Sequence, residues 1–145
     1  MIEKLKVYQE KHLEKILTEM DECHERFKRY NNTFTVVLFY GDESLKYDLV
    51  MTAIRTTDRY FRLEENLFLI ILEETDSEGG ILAAEKLLPK LQHEPKQLLY
   101  AAVAECTKEK TGILLIHQLF NILEFAIDHK HANEIMDSSY LDSIY

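Results

Sequence analysis

RTTDRYFRLEENLFLIILEET, Arg55 to Thr75, is the stretch on which the fold turns. Leu67 to Leu72 is an unbroken apolar run, and a short run with both faces apolar reads as a central strand in a helix-covered sheet. The bend Glu64-Glu65-Asn66 separates it from a shorter strand, so residues 58–63 and 67–73 make a hairpin around a tight turn. The eight residues from Arg55 to Arg62 hold three arginines and Asp58. A cationic cluster thus leads into a buried strand by way of an acidic turn.

On the N-terminal side, residues 2–30 read as one long helix without Gly or Pro, ended by Asn31-Asn32. Leu13, Ile16, Met20, Cys23, Phe27 and Tyr30 recur by threes and fours, the period of one buried helical stripe. Ile2, Leu5 and Tyr8 follow it less strictly, so the first ten residues are expected to project toward a partner helix or to join the core. Phe34 to Tyr40 is β-branched and aromatic, a strand stopped by Gly41-Asp42. Leu49, Val50, Ala53 and Ile54 then give residues 45–57 helical spacing.

Beyond the hairpin, Asp76 or Ser77 caps a helix running to about Leu91, with Glu78 in its first turn where an acid suits the dipole. Gly79-Gly80 weakens that turn, and Pro89 is expected to kink or shorten the last one. Leu98 to Ala104 is a strand, 107–112 a polar turn, and Ile113 to about His131 a final amphipathic helix. The tail from 136 to 145 either adds a short edge strand or stays loose. The order α-β-α-β-β-α-β-α, without repeat or linker, predicts one domain over 1–145. Its class is an α/β (α+β) sandwich: a mainly antiparallel central sheet flanked by helices, of the ferredoxin-like, palm-like kind.

At 145 residues, 46% hydrophobic and 30% charged, the chain is long and apolar enough to close a core. Its net charge of -9 argues against non-specific nucleic-acid binding, so any anionic ligand needs a local positive patch. Cys23 and Cys106, without CxxC spacing, are expected to be buried reduced thiols. No apolar run reaches the length of a membrane span, and MIEKLKVYQEK has no signal-peptide core, which points to the cytoplasm. His117, in an apolar stretch, is expected to be packed. His129-Lys130-His131 reads as a solvated helix end rather than a metal site. Tyr8, Tyr140 and Tyr145 are edge packing or a contact surface.

The opening stretch resembles the core signature of the GGDEF domain family, the diguanylate cyclases and their inactive relatives. In that family an Arg-x-x-Asp stands five residues ahead of the Gly-Gly-Asp/Glu-Glu-Phe hairpin, with an Arg between, and a hydrophobic strand and a Thr follow. This chain has Arg55-Thr56-Thr57-Asp58, then five residues that include Arg62, then Glu64-Glu65-Asn66-Leu67-Phe68. Leu69 to Leu72, Thr75 and the Ala-Glu-x-Leu-like AAEKL of Ala83 to Leu87 continue the match. The resemblance extends from about Leu13 to Asn133 in element order, with the motifs confined to Arg55–Leu87.

What the resemblance implies depends on its departures. Glu64 and Glu65 replace the glycines that let backbone approach a guanine nucleotide, and they place two negative charges where a triphosphate would lie. Asn66, in the position of a metal-holding acid, is a poor Mg²⁺ ligand, and Leu67 replaces the next acid. The family's other metal-binding Asp aligns with Tyr40, with Asp42 the alternative if the loop is shifted. The family's nucleotide-holding segment has no counterpart between Gly41 and Leu49. Catalytic residues, a metal site and a cofactor are therefore all expected to be missing.

The remaining Arg55-x-x-Asp58 matches the family's inhibitory site for cyclic di-GMP. By resemblance Arg55 forks onto a guanine edge or phosphate, Asp58 accepts from guanine N1–H and N2–H, and Arg59 and Arg62 neutralise the second phosphate. The pattern also allows a plain i, i+3 ion pair, with Glu64 and Glu65 as solvated turn residues that compete for Arg59 and Arg62. The expectation is a non-catalytic signalling receptor, working with a protein partner or as a homodimer. A ligand-free interaction module with the same fold is the alternative, and an active nucleotidyl cyclase a remote one.

Overall fold

An uninterrupted run of helix formers makes the first element, α1 (Ile2–Tyr30), in a computed structural model that describes residues 1–30, 33–107 and 112–139, the side chains of 27–30 aside. Leu5, Tyr8, Ile16, Met20 and Cys23 are all 8% exposed or less. The first ten residues therefore do not project: Leu5 and Tyr8 carry the stripe onto the core. The side chains of Phe27 and Tyr30 and the Asn31-Asn32 stop lie outside the described residues.

Strands β1 (Phe34–Gly41), β2 (Arg59–Glu64), β3 (Leu67–Glu73), β4 (Leu99–Glu105) and β5 (Ile135–Asp137) form one sheet in the order β2-β3-β1-β4-β5. β1 pairs antiparallel with β3 and β4, β2 and β3 form the expected hairpin, and β5 joins β4 in parallel. The period of two divides the central strands between two cores. Leu67, Leu69 and Ile71 face α1 and the last helix, whereas Phe68, Ile70 and Leu72 face the opposite layer. The result is an α+β sandwich, a mixed and mainly antiparallel sheet with helices on both faces.

The helical expectation for 45–57 fails: only a 3-10 turn, Val50–Thr52, forms there. The backbone is engaged elsewhere. Asp42 N–H donates to the Leu98 carbonyl, Leu45 N–H to Glu65 and Lys46 N–H to Leu91, at 2.8–3.0 Å. Gln97, a buried amide, donates from Nε2 to the carbonyls of Glu43 and Ser44. Residues 42–49 thus form a strap, and its Leu45, with Val50 of the turn that follows, plugs the second core instead of lining a helix.

Asp76 is the N-cap of α2 (Ser77–Leu91), accepting from Gly79 N–H at 2.8 Å, a contact worth about 1 kcal/mol. The helix runs through Pro89 to Leu91. Gly80 has a packing reason to be there: a Cβ would sit 2.5 Å from Thr35 Cγ2, so only glycine lets α2 lie this close to β1. The last helix, α3 (Gly112–Asp128), ends three residues short of His131. Of the two expectations for the tail, 135–137 form the edge strand and Met136 is fully buried. Residues 108–111 of the polar turn, and 140–145 with Tyr140 and Tyr145, lie outside the described residues. Cys23 and Cys106 are buried and unbridged, and burial pushes the Cys106 thiol up to about 11. No helix among the described residues is long and apolar enough to cross a membrane.

Candidate functional site

The hairpin tip is tied down on three sides. Tyr8 donates its hydroxyl to Asn66 Oδ1 at 3.0 Å, and Asn66 Nδ2 donates to the Gly41 carbonyl at 3.0 Å. Asn66 is 7% exposed, so this amide is a pin between α1, the end of β1 and the turn. Glu64 accepts from Lys11 Nζ at 3.1 Å and sits 2.9 Å from His12 Nε2. Burial raises the Glu64 carboxyl, but the hydrogen bonds from Lys11 and His12 outweigh it and leave the group below the ordinary carboxylate range. Glu64 is therefore a half-sheltered anchor for α1, not a solvated turn residue. Tyr8 is likewise core packing and not a contact surface.

Across the turn, Tyr47 of the strap donates to the carbonyls of Glu64 and Glu65 at 3.1 and 3.3 Å. Burial pushes its phenol up to about 12. Arg62 lies 4.2 Å above the Tyr47 ring and donates to Glu65 Oε2 at 2.9 Å. Tyr40, the other position that the resemblance connects with a metal, points into the core at 1% exposure and donates to the Met1 carbonyl.

Arg55 opens on a groove of about 570 Å³ between the 53–58 loop and α2. Val37, Ile70, Leu72, Ala84 and Leu87 form its floor, and Arg55, Asp58, Glu74, Asp76, Leu82 and Lys86 stand around it. Arg55 Nε and Nη2 donate to Asp58 at 2.8–3.3 Å, and the Arg55 backbone N–H donates to Asp58 Oδ2 at 2.9 Å. Nη2 also donates to the Glu73 carbonyl and to Thr75 Oγ1, each at 2.9 Å. The Asp58 hydrogen bond holds the Arg55 guanidinium above its ordinary pKa. The Asp58 side chain is 2% exposed and that of Arg55 is 55% exposed.

The structure brings Arg55 and Asp58 together but places Arg59 and Arg62 elsewhere. An odd separation along β2 sends the two arginines to opposite faces of the sheet. Arg59 meets Glu19 and Glu22 of α1 and Glu73, while Arg62 belongs to the Tyr47–Glu65 contact. Lys86, within the AAEKL segment, lines the groove with Arg55, and only the packing of α2 against the 53–58 loop puts the two together. His117 also departs from expectation. It is exposed and pairs with Gln9, because Leu115, Ile116, Leu119 and Phe120 already fill the inward face of α3. His129 stacks on Phe125 at 4.0 Å beyond the end of α3. Among the described residues no group of three or more His, Cys, Asp or Glu is arranged to hold a metal ion.

No protein-family model matches the sequence, and no curated protein is similar to it. Solved structures are similar to the fold. The active GGEEF domain of a diguanylate cyclase from Vibrio cholerae superposes with a TM-score of 0.68 at 16% identity, over 86% of this chain and 94% of that one. The GGDEF domain of DgcB from Caulobacter crescentus, in complex with cyclic di-GMP, gives 0.66 at 9% identity, over 84% and 87%. The diguanylate cyclase SiaD from Pseudomonas aeruginosa, in complex with its activator SiaC, gives 0.65 at 12%, over 86% of this chain and 57% of that one. The fold is that of a GGDEF domain.

Proposed function

We propose that this chain is a non-catalytic GGDEF-fold signalling domain that binds cyclic di-GMP at the groove beside Arg55. The observation that carries the reading is the contrast between the two ends of the stretch Arg55–Glu65. At the hairpin, Asn66, Glu64 and the turn carbonyls are all engaged by Tyr8, Lys11, His12 and Tyr47. Phosphoryl transfer needs a divalent ion between carboxylates, and the residues present do not fit one. Asn66 Oδ1 already accepts from Tyr8, and Tyr40 supplies a buried phenol where a carboxylate is needed. At the other end, a half-exposed guanidinium faces an open groove that Lys86 lines from α2. GGDEF domains solved in complex with cyclic di-GMP support the ligand class, and a cytoplasmic location is part of the proposal.

Isothermal titration tests it. Saturable binding of cyclic di-GMP that weakens at least tenfold in Arg55→Ala is the expected result, about 1.4 kcal/mol or more. No heat at ample protein, or the same affinity in the variant, defeats the proposal.

A second reading, a protein-interaction module, is favoured by two exposed apolar side chains, Leu82 on the groove and Met51 on the neighbouring turn. Leu82 is 58% exposed and Met51 62% exposed, on elements that pack against each other. Its signature is a specific partner in a pull-down that is retained when Arg55→Ala and Asp58→Ala are combined.

A further inference from the structure

We infer that β2 is a pairing edge for a second copy of this chain, so that two sheets join antiparallel into one across a dyad at Phe61. β2 is the last strand of the sheet on its side, and the ladders determine which of its backbone groups are open. Cys106 N–H donates to the Phe34 carbonyl, so the even-numbered residues of β1 turn their backbone groups to β4 and the odd-numbered ones to β3. On β3 that leaves Leu69 and Ile71 facing β2, where they pair with Phe61 and Arg59. Tyr60 and Arg62 therefore present their N–H and C=O groups outward. Among the described residues, no backbone group from outside the sheet bonds them there. Such a row of open donors and acceptors is a template for another strand. Edges are commonly blocked by free charged side chains or by bulges. Here Arg59 is held by Glu19 and Glu22, and Arg62 by Glu65 over the Tyr47 ring. The bulge falls after Arg62, so 59–62 stay regular.

The strand that fits this edge is its own copy. Antiparallel pairing about Phe61 sets Tyr60 against Arg62 of the second copy and Phe61 against Phe61. The Tyr60–Arg62 pairs are the hydrogen-bonded ones, and the Phe61 pair between them is the close, non-hydrogen-bonded kind. Tyr60 is 44% exposed and the Arg62 side chain 51% exposed. Both lie on the Phe68 and Tyr47 face of the sheet, where ring and guanidinium meet across the dyad. Phe61 faces α1, beneath Lys15. The helix above repeats the complementarity. Lys11 stands at the Glu64 end of β2, and Glu19 and Glu22 at the Arg59 end. The dyad brings the Lys11 end of one helix level with the Glu19–Glu22 end of the other, twice over. Lys15 comes nearest its own counterpart, but it is exposed and can turn to solvent.

The test is sedimentation equilibrium of the whole chain at about 100 μM, well above a Kd of about 1 μM. Wild type should sediment at twice the chain mass. Tyr60→Pro removes the outward N–H without breaking the β2–β3 ladder, a place where an edge strand tolerates proline, and should sediment as a monomer. Tyr60→Ala, which loses the ring but keeps the N–H, should remain a dimer. Hydrogen exchange reads the same contact in the wild type. At that concentration the Tyr60 and Arg62 amides should exchange within about tenfold of the Phe61 amide, which is bonded to β3. A monomeric wild type, a folded Tyr60→Pro that stays a dimer, a Tyr60→Ala as monomeric as Tyr60→Pro, or Tyr60 and Arg62 amides that exchange faster than that overturns the inference. Should Tyr60→Pro not fold, the wild-type mass and exchange decide. Calorimetry with cyclic di-GMP tests the groove separately, and neither of its outcomes changes this one.

Discussion

The Tyr8 hydroxyl and the Asn66 amide, 58 residues apart in sequence, meet at 3.0 Å, and Asn66 passes the contact on to the Gly41 carbonyl. One buried amide thereby joins the N-terminal helix, the first strand and the hairpin turn. Asn66→Ala leaves the Tyr8 donor and the Gly41 acceptor without partners in a dry site. The expected loss is about 1–3 kcal/mol, read as a lower urea midpoint with an unchanged slope. Tyr8→Phe should cost about 0.5–1.5 kcal/mol. A midpoint unmoved by Asn66→Ala would show that the pin does not hold the turn.

The carboxylate one turn away predicts a pH dependence. In the fold, despite burial, the hydrogen bonds from Lys11 and His12 hold the Glu64 carboxyl below its ordinary value of 4.5. Its contribution is therefore fully present above that value and disappears as pH falls through the lower, folded-state one. The difference in urea midpoint between wild type and Glu64→Gln should be present at about pH 6–7 and vanish toward about pH 3. Its size near neutrality should be on the order of 0.5–1 kcal/mol, since the side chain is 20% exposed and water screens the pair. A difference constant across that range would remove Glu64 as the titrating anchor.

Gly80 gives a packing prediction. A methyl group there meets Thr35 Cγ2 at 2.5 Å and Val103 Cγ1 at 3.2 Å, so Gly80→Ala must push α2 off the sheet despite the better helix propensity. We expect about 1–3 kcal/mol of destabilisation and a drop in Tm of several degrees. A variant as stable as wild type, or more so, would mean that α2 has room to move.

These three contacts mark where reading the sequence succeeds and where it stops. The three central strands were legible because Phe34–Tyr40, Leu67–Leu72 and Leu98–Ala104 are apolar on both faces, which few other elements tolerate. Residues 45–57 misled because Val50, Ala53 and Ile54 are apolar for another reason: they pack on the second core just after a strap whose amides are bound by Leu98, Glu65 and Leu91, while Leu49 is exposed. At the candidate site, the neighbouring Arg55 and Asp58 were within reach of local pattern. Their mutual saturation was not, since it also draws on Glu73 and Thr75. The divergence of Arg59 and Arg62 was legible in principle, because residues three apart on a strand face opposite ways.

The hairpin also predicts an absence of turnover that single-residue repair does not reverse. With GTP and Mg²⁺ or Mn²⁺, neither wild type nor Asn66→Asp should form a cyclic product detectable by chromatography. An aspartate at 66 restores a carboxylate but no glycine at 64 or 65, and it loses the amide donor to Gly41. Product from either protein would show that the turn opens.

The most direct test of a closed hairpin beside an open groove is a map of amide chemical shifts during titration with cyclic di-GMP. The account predicts perturbations at Ala53–Asp58, Glu73–Asp76 and Lys86, saturating together, with Glu64–Leu67 unmoved. Perturbations centred on Gly41 and Glu64–Leu67, or none at saturating ligand, would contradict it.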